Sequence, residues 1–427
     1  MSEFIKKNRV WLLFICGTML YFAANLQRVA IPGAVFNELQ MKWSLTASQV
    51  TGFGASFMYV YAFAQLFVGL LSDRYGGARV MFAGGILFSL GGFIFALADN
   101  YYLLCFGRAL TGLGASAFYL GLVAEAIRYF KRDYSVMISL IVMTGYAGGI
   151  VANAPFSMAT GAIGLRGALI AAGAFSLLFY LLYLIPYKSV KKPLVRKDVG
   201  FSGKNFLQVM KIRHNWYIFL FSGVNWGLYY SIQTVIGKKY LEDFCRISTG
   251  TAAMVLSTTS VISAAAGVIY AMGSKKMGSR LKPFCLLTGA MTFSVFLALT
   301  VLTAADCRNF APAILMCFLA STSSLSAIVI PLIKETNTAK ETGSAIAFSN
   351  FGAYMLVAVF GNVIGGLMNL FAPENIGGKL IYSKEAYLSV FSFMLLCAAG
   401  VLYWALRIKE PKRINIKRYT FFTSHKP

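Results

Sequence analysis

The sequence predicts an all-α integral membrane protein with twelve transmembrane helices arranged as two six-helix bundles. Three observations carry this. Of 427 residues, 58% are hydrophobic, 15% aromatic and 13% charged, whereas soluble domains are about 25% charged. The apolar residues fall into twelve blocks, each near the roughly 20 residues that cross a bilayer, and no stretch between them is long enough for a second globular domain. A basic mid-chain segment carrying Lys188, Lys191, Lys192, Arg196, Lys197, Lys204, Lys211 and Arg213 against a single acid, Asp198, divides six blocks from six.

The spans are expected near 11–36, 50–71, 80–98, 102–127, 136–156, 165–187, 216–236, 252–272, 283–304, 312–333, 344–370 and 386–408. The domain plan is a first bundle over 1–187, a basic linker over 188–215, a second bundle over 216–410 and a basic tail over 411–427. Lys6, Lys7 and Arg9 precede an apolar run that is too long for a signal-peptide core of about 7–15 residues. It reads as an uncleaved first helix. Within the linker, Phe206-Leu207-Gln208-Val209-Met210 has the pattern of an amphipathic helix lying along a membrane surface.

The net charge of +24 would suit nucleic acid, but its distribution points elsewhere. With both termini placed in the cytoplasm, 29 Lys and Arg fall on cytoplasmic segments, 8 on external ones, and Arg28 and Arg108 within spans. Such a skew orients a multispanning protein and sets the basic surface against anionic lipid. Membrane lipids are therefore the expected macromolecular contact, and nucleic acid is not. Cys16, Cys105, Cys245, Cys285, Cys307, Cys317 and Cys397 are odd in number, show no C-x-x-C pairing and sit mostly within spans. They read as small buried hydrophobes, not disulfides or metal ligands.

The turn between the second and third spans is the most informative stretch. Gly69, Leu71, Asp73, Arg74, Gly76 and Arg79 lie in a link too short for anything but a tight reversal, which Gly76 and Gly77 permit. Charge bias alone requires neither the aspartate nor the glycines. Asp73-Arg74-Tyr75-Gly76 has a counterpart 202 residues on, Lys275-Lys276-Met277-Gly278, followed by Arg280. The halves thus read as pseudo-symmetric, with the aspartate kept in the first copy only. Span four carries Arg108 followed by Gly112 and Gly114. The glycines allow close helix approach. A charge within a span faces a wet cavity or the bundle interior, so Arg108 either lines a cavity or bonds backbone carbonyls.

These motifs resemble the major facilitator superfamily: Gly69–Arg79 its signature between helices two and three, Arg108–Gly114 its second signature. Gly164-Leu165-Arg166 is similar to the family's G-W-R opening of helix six, with leucine for tryptophan. Gly145-Tyr146-Ala147-Gly148-Gly149 lacks the G-x-x-x-G-P-x-x-G-G order of many drug–proton antiporters. The resemblance implies parallel six-helix repeats with substrate between them. It also implies a gating latch of Asp73, Arg74, Arg79 and Glu125 around Gly69 and Gly76 that closes the cytoplasmic side.

Polar residues at helical spacing mark the expected substrate site. Tyr21, Asn25 and Arg28 share one face of span one, and Tyr21–Val29 looks like the first helix of organic-anion and sugar-phosphate permease-type members, where an arginine meets an anionic group. Arg28 lies about 25 Å along the helix from Trp11, so a cavity position and snorkelling to the external surface both fit. Asn225, Tyr229 and Gln233 recur every four residues beside Trp226 and Tyr230. Asn350 and Tyr354 repeat the spacing in span eleven, and Tyr61 and Gln65 add to it from span two. Spans eight and ten supply hydroxyls at Ser257–Ser260 and Ser321–Ser324. A shared cavity satisfies all these stripes away from lipid.

Glu125 and Glu335, near cytoplasmic span ends, are the acids closest to span interiors, and His214 and His425 lie in linker and tail. Substrate binding is assigned to Tyr21, Asn25, Arg28, Arg108, Asn225, Tyr229, Gln233, Asn350 and Tyr354. No catalytic residue, metal ligand or cofactor is expected, since two remote histidines and scattered cysteines make no reactive cluster. The expected function is secondary active or facilitative transport of a small organic anion, a carboxylate or phosphate ester, across the cytoplasmic membrane by a monomer. The alternatives are an exporter or uniporter of a neutral solute or drug, and a facilitator-like sensor that moves nothing.

Overall fold

The computed structural model describes residues 2–189, 203–278, 280–376 and 379–410. The basic tail and the linker residues 190–202 lie outside that set, as does His425. The first half comprises α1 (Ser2–Ala30), a 3-10 turn (Gly33–Val35), α2 (Phe36–Trp43), α3 (Ala47–Tyr75), α4 (Gly77–Leu97), α5 (Tyr101–Tyr129), α6 (Tyr134–Val151) and α7 (Ala154–Ser189). After α8 (Gly203–Lys211) the second half runs through α9 (Arg213–Ser231), a π-helical turn (Ile232–Ile236), α10 (Gly237–Asp243), α11 (Thr249–Lys276), α12 (Lys282–Ala304), α13 (Ala311–Ser321), α14 (Ser326–Thr336) and α15 (Ala339–Met368). A hairpin of β1 (Glu374–Ile376) and β2 (Lys379–Ile381) then leads to α16 (Lys384–Arg407).

Eleven of the described helices are long and apolar enough to cross a membrane. The twelfth crossing is α9 with the π turn and α10, whose polar stripe lowers its hydropathy. Three expected spans are reshaped. Helix α1 stops at Ala30, before Pro32, since proline cannot donate into a helix. Span five breaks after Val151 and resumes as the start of α7, which turns into span six at Gly164, where φ is +73°. Span ten is two half-helices, α13 and α14. At that break Thr322 Oγ1 donates to Leu319 O (2.8 Å) and Ser323 Oγ to Ala320 O (2.7 Å), so hydroxyls occupy carbonyls that a continuous helix would use.

Helix ends follow local chemistry. Thr46 and Gln49 form a reciprocal capping box at α3, and Asn100 accepts from Leu103 N (2.8 Å) at α5. The first half is built on α4–α5, α3–α5, α1–α6 and α4–α7 packing, the second on α12–α16, α9–α15 and α9–α16. Close approach depends on the glycines noted in span four. A Cβ on Gly112 would sit 2.4 Å from Phe57 O, and one on Gly114 2.3 Å from Phe88 N. The amphipathic segment of the linker is α8, which packs on α15 and α9 with Val209 buried, Leu207 exposed and the Phe206 ring 5.2 Å from that of Phe348.

The repeat is visible in three dimensions. Gly76 and Gly278 both adopt positive φ, +89° and +66°, at equivalent turns. In the first half Glu125 accepts from Ala78 N (2.9 Å) at the start of α4. In the second, Glu410 accepts from Leu281 N (2.7 Å) and Lys282 N (2.9 Å) at the start of α12. A helix start in apolar surroundings must satisfy its N–H groups, and the halves do so with acids from non-equivalent helices.

Candidate functional site

The halves meet along α3–α15 and along α6–α7 with α11, and between these seams lies a cavity of about 230 Å³. Its wall from the first half is Tyr21, Asn25, Arg28 and Val29 of α1, Tyr61 and Gln65 of α3, Tyr119 of α5, and Val142, Gly145, Tyr146 and Gly149 of α6. The second half contributes Trp226, Tyr229 and Tyr230 of α9, Gln233 of the π turn, Ser260 and Ser263 of α11, and Asn350 and Tyr354 of α15. A second hollow of about 250 Å³ shares Tyr146, Trp226, Asn350 and Tyr354. It continues past Ser222, Ser349, Ile346 and Ile333 toward the end that carries the N-terminus and the linker, here the basic end.

Among the described residues lining either hollow, Arg28 is the one that is charged. It is 8% exposed, which excludes snorkelling. Its Nη2 donates to Asn25 Oδ1 and its Nη1 to Tyr354 Oη (3.3 Å). Three rings surround the guanidinium: Tyr230 at 5.5 Å, Tyr354 at 5.6 Å and Tyr61 at 5.8 Å from centroid to Cζ. Tyr61 and Tyr354 meet edge to face across the two halves at 4.6 Å, and Trp226 stacks with Tyr230 at 4.9 Å. Arg28 Nε and Tyr230 Oη, both buried, complete no hydrogen bond. The geometry is that of an anion site: a fixed cation with spare donors, walled by aromatic rings.

Seven of the nine expected substrate residues line this cavity: Tyr21, Asn25, Arg28, Tyr229, Gln233, Asn350 and Tyr354. Arg108 and Asn225 do not. Arg108, 1% exposed, donates from Nη1 to Gln27 O (3.2 Å) and from Nη2 to Ile31 O (3.2 Å), with Cζ 4.6 Å from the Phe57 ring centroid. Those carbonyls lie at the end of α1, where the helix stops and leaves acceptors open. The expectation of two arginines in one positive cavity is thereby corrected to one. Asn225 donates to Thr322 O (2.7 Å) and accepts from Thr292 Oγ1 (2.5 Å), so it joins α9, α12 and the break in span ten. Gln233 lines the cavity with its amide engaged by α11, donating to Leu256 O and Ser260 Oγ (both 3.1 Å) and accepting from Thr259 Oγ1.

The residues of the expected latch sit at the basic end. Arg79 Nη1 donates to Tyr75 O (2.9 Å), and the Arg74 guanidinium lies over the Tyr75 ring at 5.3 Å. Gly69 leaves ordinary contact distance to Leu120 (3.8 Å for a Cβ), and Asp73 closes α3 one turn before Gly76. Glu125 is 2% exposed, held by Ala78 N and 3.5 Å from Arg128 Nη1. It ties α5 to the start of α4 within the first half.

At the distal end, opposite the basic end, the halves are sewn together. Lys239 Nζ, buried, donates to Asn37 Oδ1 (2.5 Å) and Leu380 O (2.7 Å) and pairs with Asp243 Oδ2 (3.1 Å). Asp243 also accepts from Tyr387 Oη (2.8 Å) and Tyr382 N (3.2 Å). Lys238 lies 3.5 Å from Glu242 and 4.0 Å from Glu38, and donates to Ser157 Oγ (3.2 Å). Asn37 Nδ2 donates to Glu242 Oε2 (2.8 Å), and Gln40 to Tyr382 Oη (3.2 Å). Lys238 and Lys239 lie just past the expected span 216–236. Their signal was the four-residue spacing Lys238–Glu242 and Lys239–Asp243 on one helix face. Tyr119, Tyr146 and Ser263 also line the cavity without belonging to the expected stripes; for Ser263 the signal was present, three residues beyond Ser260 on one helix face.

Residues 13–362 match the family model described as Major Facilitator Superfamily. Over 114 residues the chain is 34% identical to the "Probable 4-methylmuconolactone transporter" of Cupriavidus pinatubonensis, which covers 26% of either protein. Over 190 residues it is 25% identical to the "Probable sulfoacetate transporter SauU" of Cupriavidus necator, covering 44% of this chain and 43% of that one. Over 189 residues it is 27% identical to "Probable anion transporter 3, chloroplastic" of Oryza sativa subsp. japonica, covering 43% and 36%. The chain thus spans between about a quarter and less than half of these relatives' length. Among solved structures, nucleoside transporter NupG superposes with a TM-score of 0.71 at 12% identity, covering 93% of this chain and 99% of that one, a likeness of fold. Matched from its first span into its eleventh and folded as two helical halves about a polar cavity, the chain belongs to the Major Facilitator Superfamily of membrane transporters.

Proposed function

We propose that this protein moves a small organic anion across a cell's cytoplasmic membrane by alternating access, as a monomer, with the basic end and both termini in the cytoplasm. The observation that carries the anion is Arg28, a buried cation at the junction of the halves with no acid among the described lining residues. An anionic ligand would compensate that charge. The relatives named for organic anions support the same class. The distal network and the hollow running toward the basic end favour reading this conformation as open to the cytoplasm and closed outside. Large apolar side chains exposed on the outer helix faces, such as Phe63, Phe67, Leu90, Phe106 and Ile269, suit contact with acyl chains. The cavity is complete within one chain, which supports a monomeric carrier. The mechanism is secondary active or facilitative, the halves rocking about the site.

The test is uptake into proteoliposomes of candidate anions by the parent protein, Arg28→Ala and Arg28→Lys. Loss of transport in Arg28→Ala and a clear deficit in Arg28→Lys are expected, because an ammonium cannot reproduce the guanidinium's fork. Full transport of an identified anion by both variants would overturn the anion reading. Saturable flux of a neutral solute insensitive to either change would favour the neutral-solute alternative.

A further inference from the structure

We infer, resting on the anion reading above, that the cavity selects a monoanion: one carboxylate on a flat, unsaturated or aromatic body. Three observations bear on this beyond the presence of a cation. The first is stoichiometry. Among the described residues Arg28 carries the only formal charge lining either hollow, and Arg108 is spent on the carbonyls of Gln27 and Ile31. A second negative charge on the ligand would leave water and find no partner. This disfavours dicarboxylates and phosphate monoesters, which the anion reading alone admits.

The second is the count of free donors. Of the five N–H groups of Arg28, one meets Asn25 and one Tyr354. Nε remains without a partner, and the Tyr230 ring lies 5.5 Å from the guanidinium carbon with its hydroxyl buried. Spare donors from one guanidinium and one phenol suit the two oxygens of a carboxylate, which accepts a guanidinium fork side by side. The third is the wall beyond the charge. Tyr61 and Tyr354 come from opposite halves and touch edge to face, and the stacked Trp226–Tyr230 pair stands beside them. Rings at these spacings pack best on another flat π-face. A body bridging Tyr61 and Trp226 would also contact both halves at once, as a carried substrate must.

The experiment is ligand binding to the purified full-length protein, followed by thermal shift and by quenching of Trp226 fluorescence. The probes are benzoate, cyclohexanecarboxylate, benzamide, phthalate and phenyl phosphate. Benzoate is expected to bind at least tenfold more tightly than phthalate or phenyl phosphate, at least tenfold more tightly than benzamide, and several-fold more tightly than cyclohexanecarboxylate. Tyr230→Phe, which keeps the ring, should weaken benzoate several-fold and leave cyclohexanecarboxylate less preferred than benzoate. Arg28→Lys should weaken it tenfold or more. Arg28-dependent binding of phthalate or phenyl phosphate as tight as that of benzoate would overturn the monoanion inference while leaving the anion carrier intact. Equal binding of benzamide would overturn both. Cyclohexanecarboxylate equal to benzoate would overturn the flat-body part, and no benzoate binding at millimolar concentration would overturn the inference outright.

Discussion

The distal network makes a quantitative prediction through Asn37. This side chain belongs to the first half, and in the present conformation it accepts from Lys239 Nζ (2.5 Å) and donates to Glu242 Oε2 (2.8 Å), both in the second half. Asn37→Ala removes both cross-half bonds and leaves the Lys239–Asp243 pair (3.1 Å) in place, so the fold of the second half is not attacked. A hydrogen bond to a charged group contributes about 1.5–3 kcal/mol. Water replaces part of each as the distal end opens, so about 1.5–3 kcal/mol in total is a conservative figure for the pair. With tenfold per 1.4 kcal/mol, the distal-open population should rise roughly 10–150-fold relative to the closed one. Spin labels at Tyr102→Cys in the first half and Leu370→Cys in the second, both exposed near the distal end, read this by electron–electron distance measurement in a background freed of the native cysteines. A new, longer distance component is expected in Asn37→Ala. A distribution unchanged from the parent, in a protein with the parent's thermal stability, would refute the assignment of this network as the closure.

Three further predictions separate structural from ligand-facing residues. Arg108→Met should lower stability by about 2–5 kcal/mol, since two buried carbonyls lose their donors, while ligand affinity measured on the folded fraction stays within about threefold; a selective loss of affinity without loss of stability would return Arg108 to the site. Asn225→Leu leaves Thr322 O without its donor and Thr292 Oγ1 with Thr322 Oγ1 (3.1 Å) in place of Asn225 and should cost about 1–3 kcal/mol in denaturant or thermal unfolding, with uptake kinetics changed far less than in Arg28→Ala. Glu125→Gln keeps an acceptor for Ala78 N but removes the negative charge at the start of α4, worth about 0.3–2 kcal/mol; faster amide exchange over residues 74–80 is the expected readout, and exchange equal to the parent's would show that the charge does not hold the turn.

Much of this protein was legible in its sequence because the bilayer imposes simple demands. A segment that crosses it must be apolar, long and internally hydrogen-bonded, so the helical class and the approximate position of the spans follow from composition and block length alone. Polar residues that recur every three or four positions must share a face and avoid lipid, which is why Tyr21, Asn25 and Arg28, or Asn350 and Tyr354, point to a cavity from the sequence alone. Glycines with backbone contacts as close as those of Gly112 and Gly114 leave a similarly direct trace.

Periodicity cannot say which neighbour a face meets, and there the tertiary structure decided. Arg28 and Arg108 are both arginines inside spans, yet one faces a hollow and the other the carbonyls exposed where α1 stops before Pro32. Asn225 and Tyr229 lie on one stripe, but the break of span ten brings Thr322 within reach of Asn225 and withdraws it from the cavity. Lys238 and Lys239 are hydrophilic in any sequence window, and only the approach of α2 and the β hairpin makes them the buried clasp between the halves. Pattern in a single helix determines what must be hidden from lipid; the packing of twelve helices determines whether it is hidden by a carbonyl, by a partner charge or by the space left for a substrate.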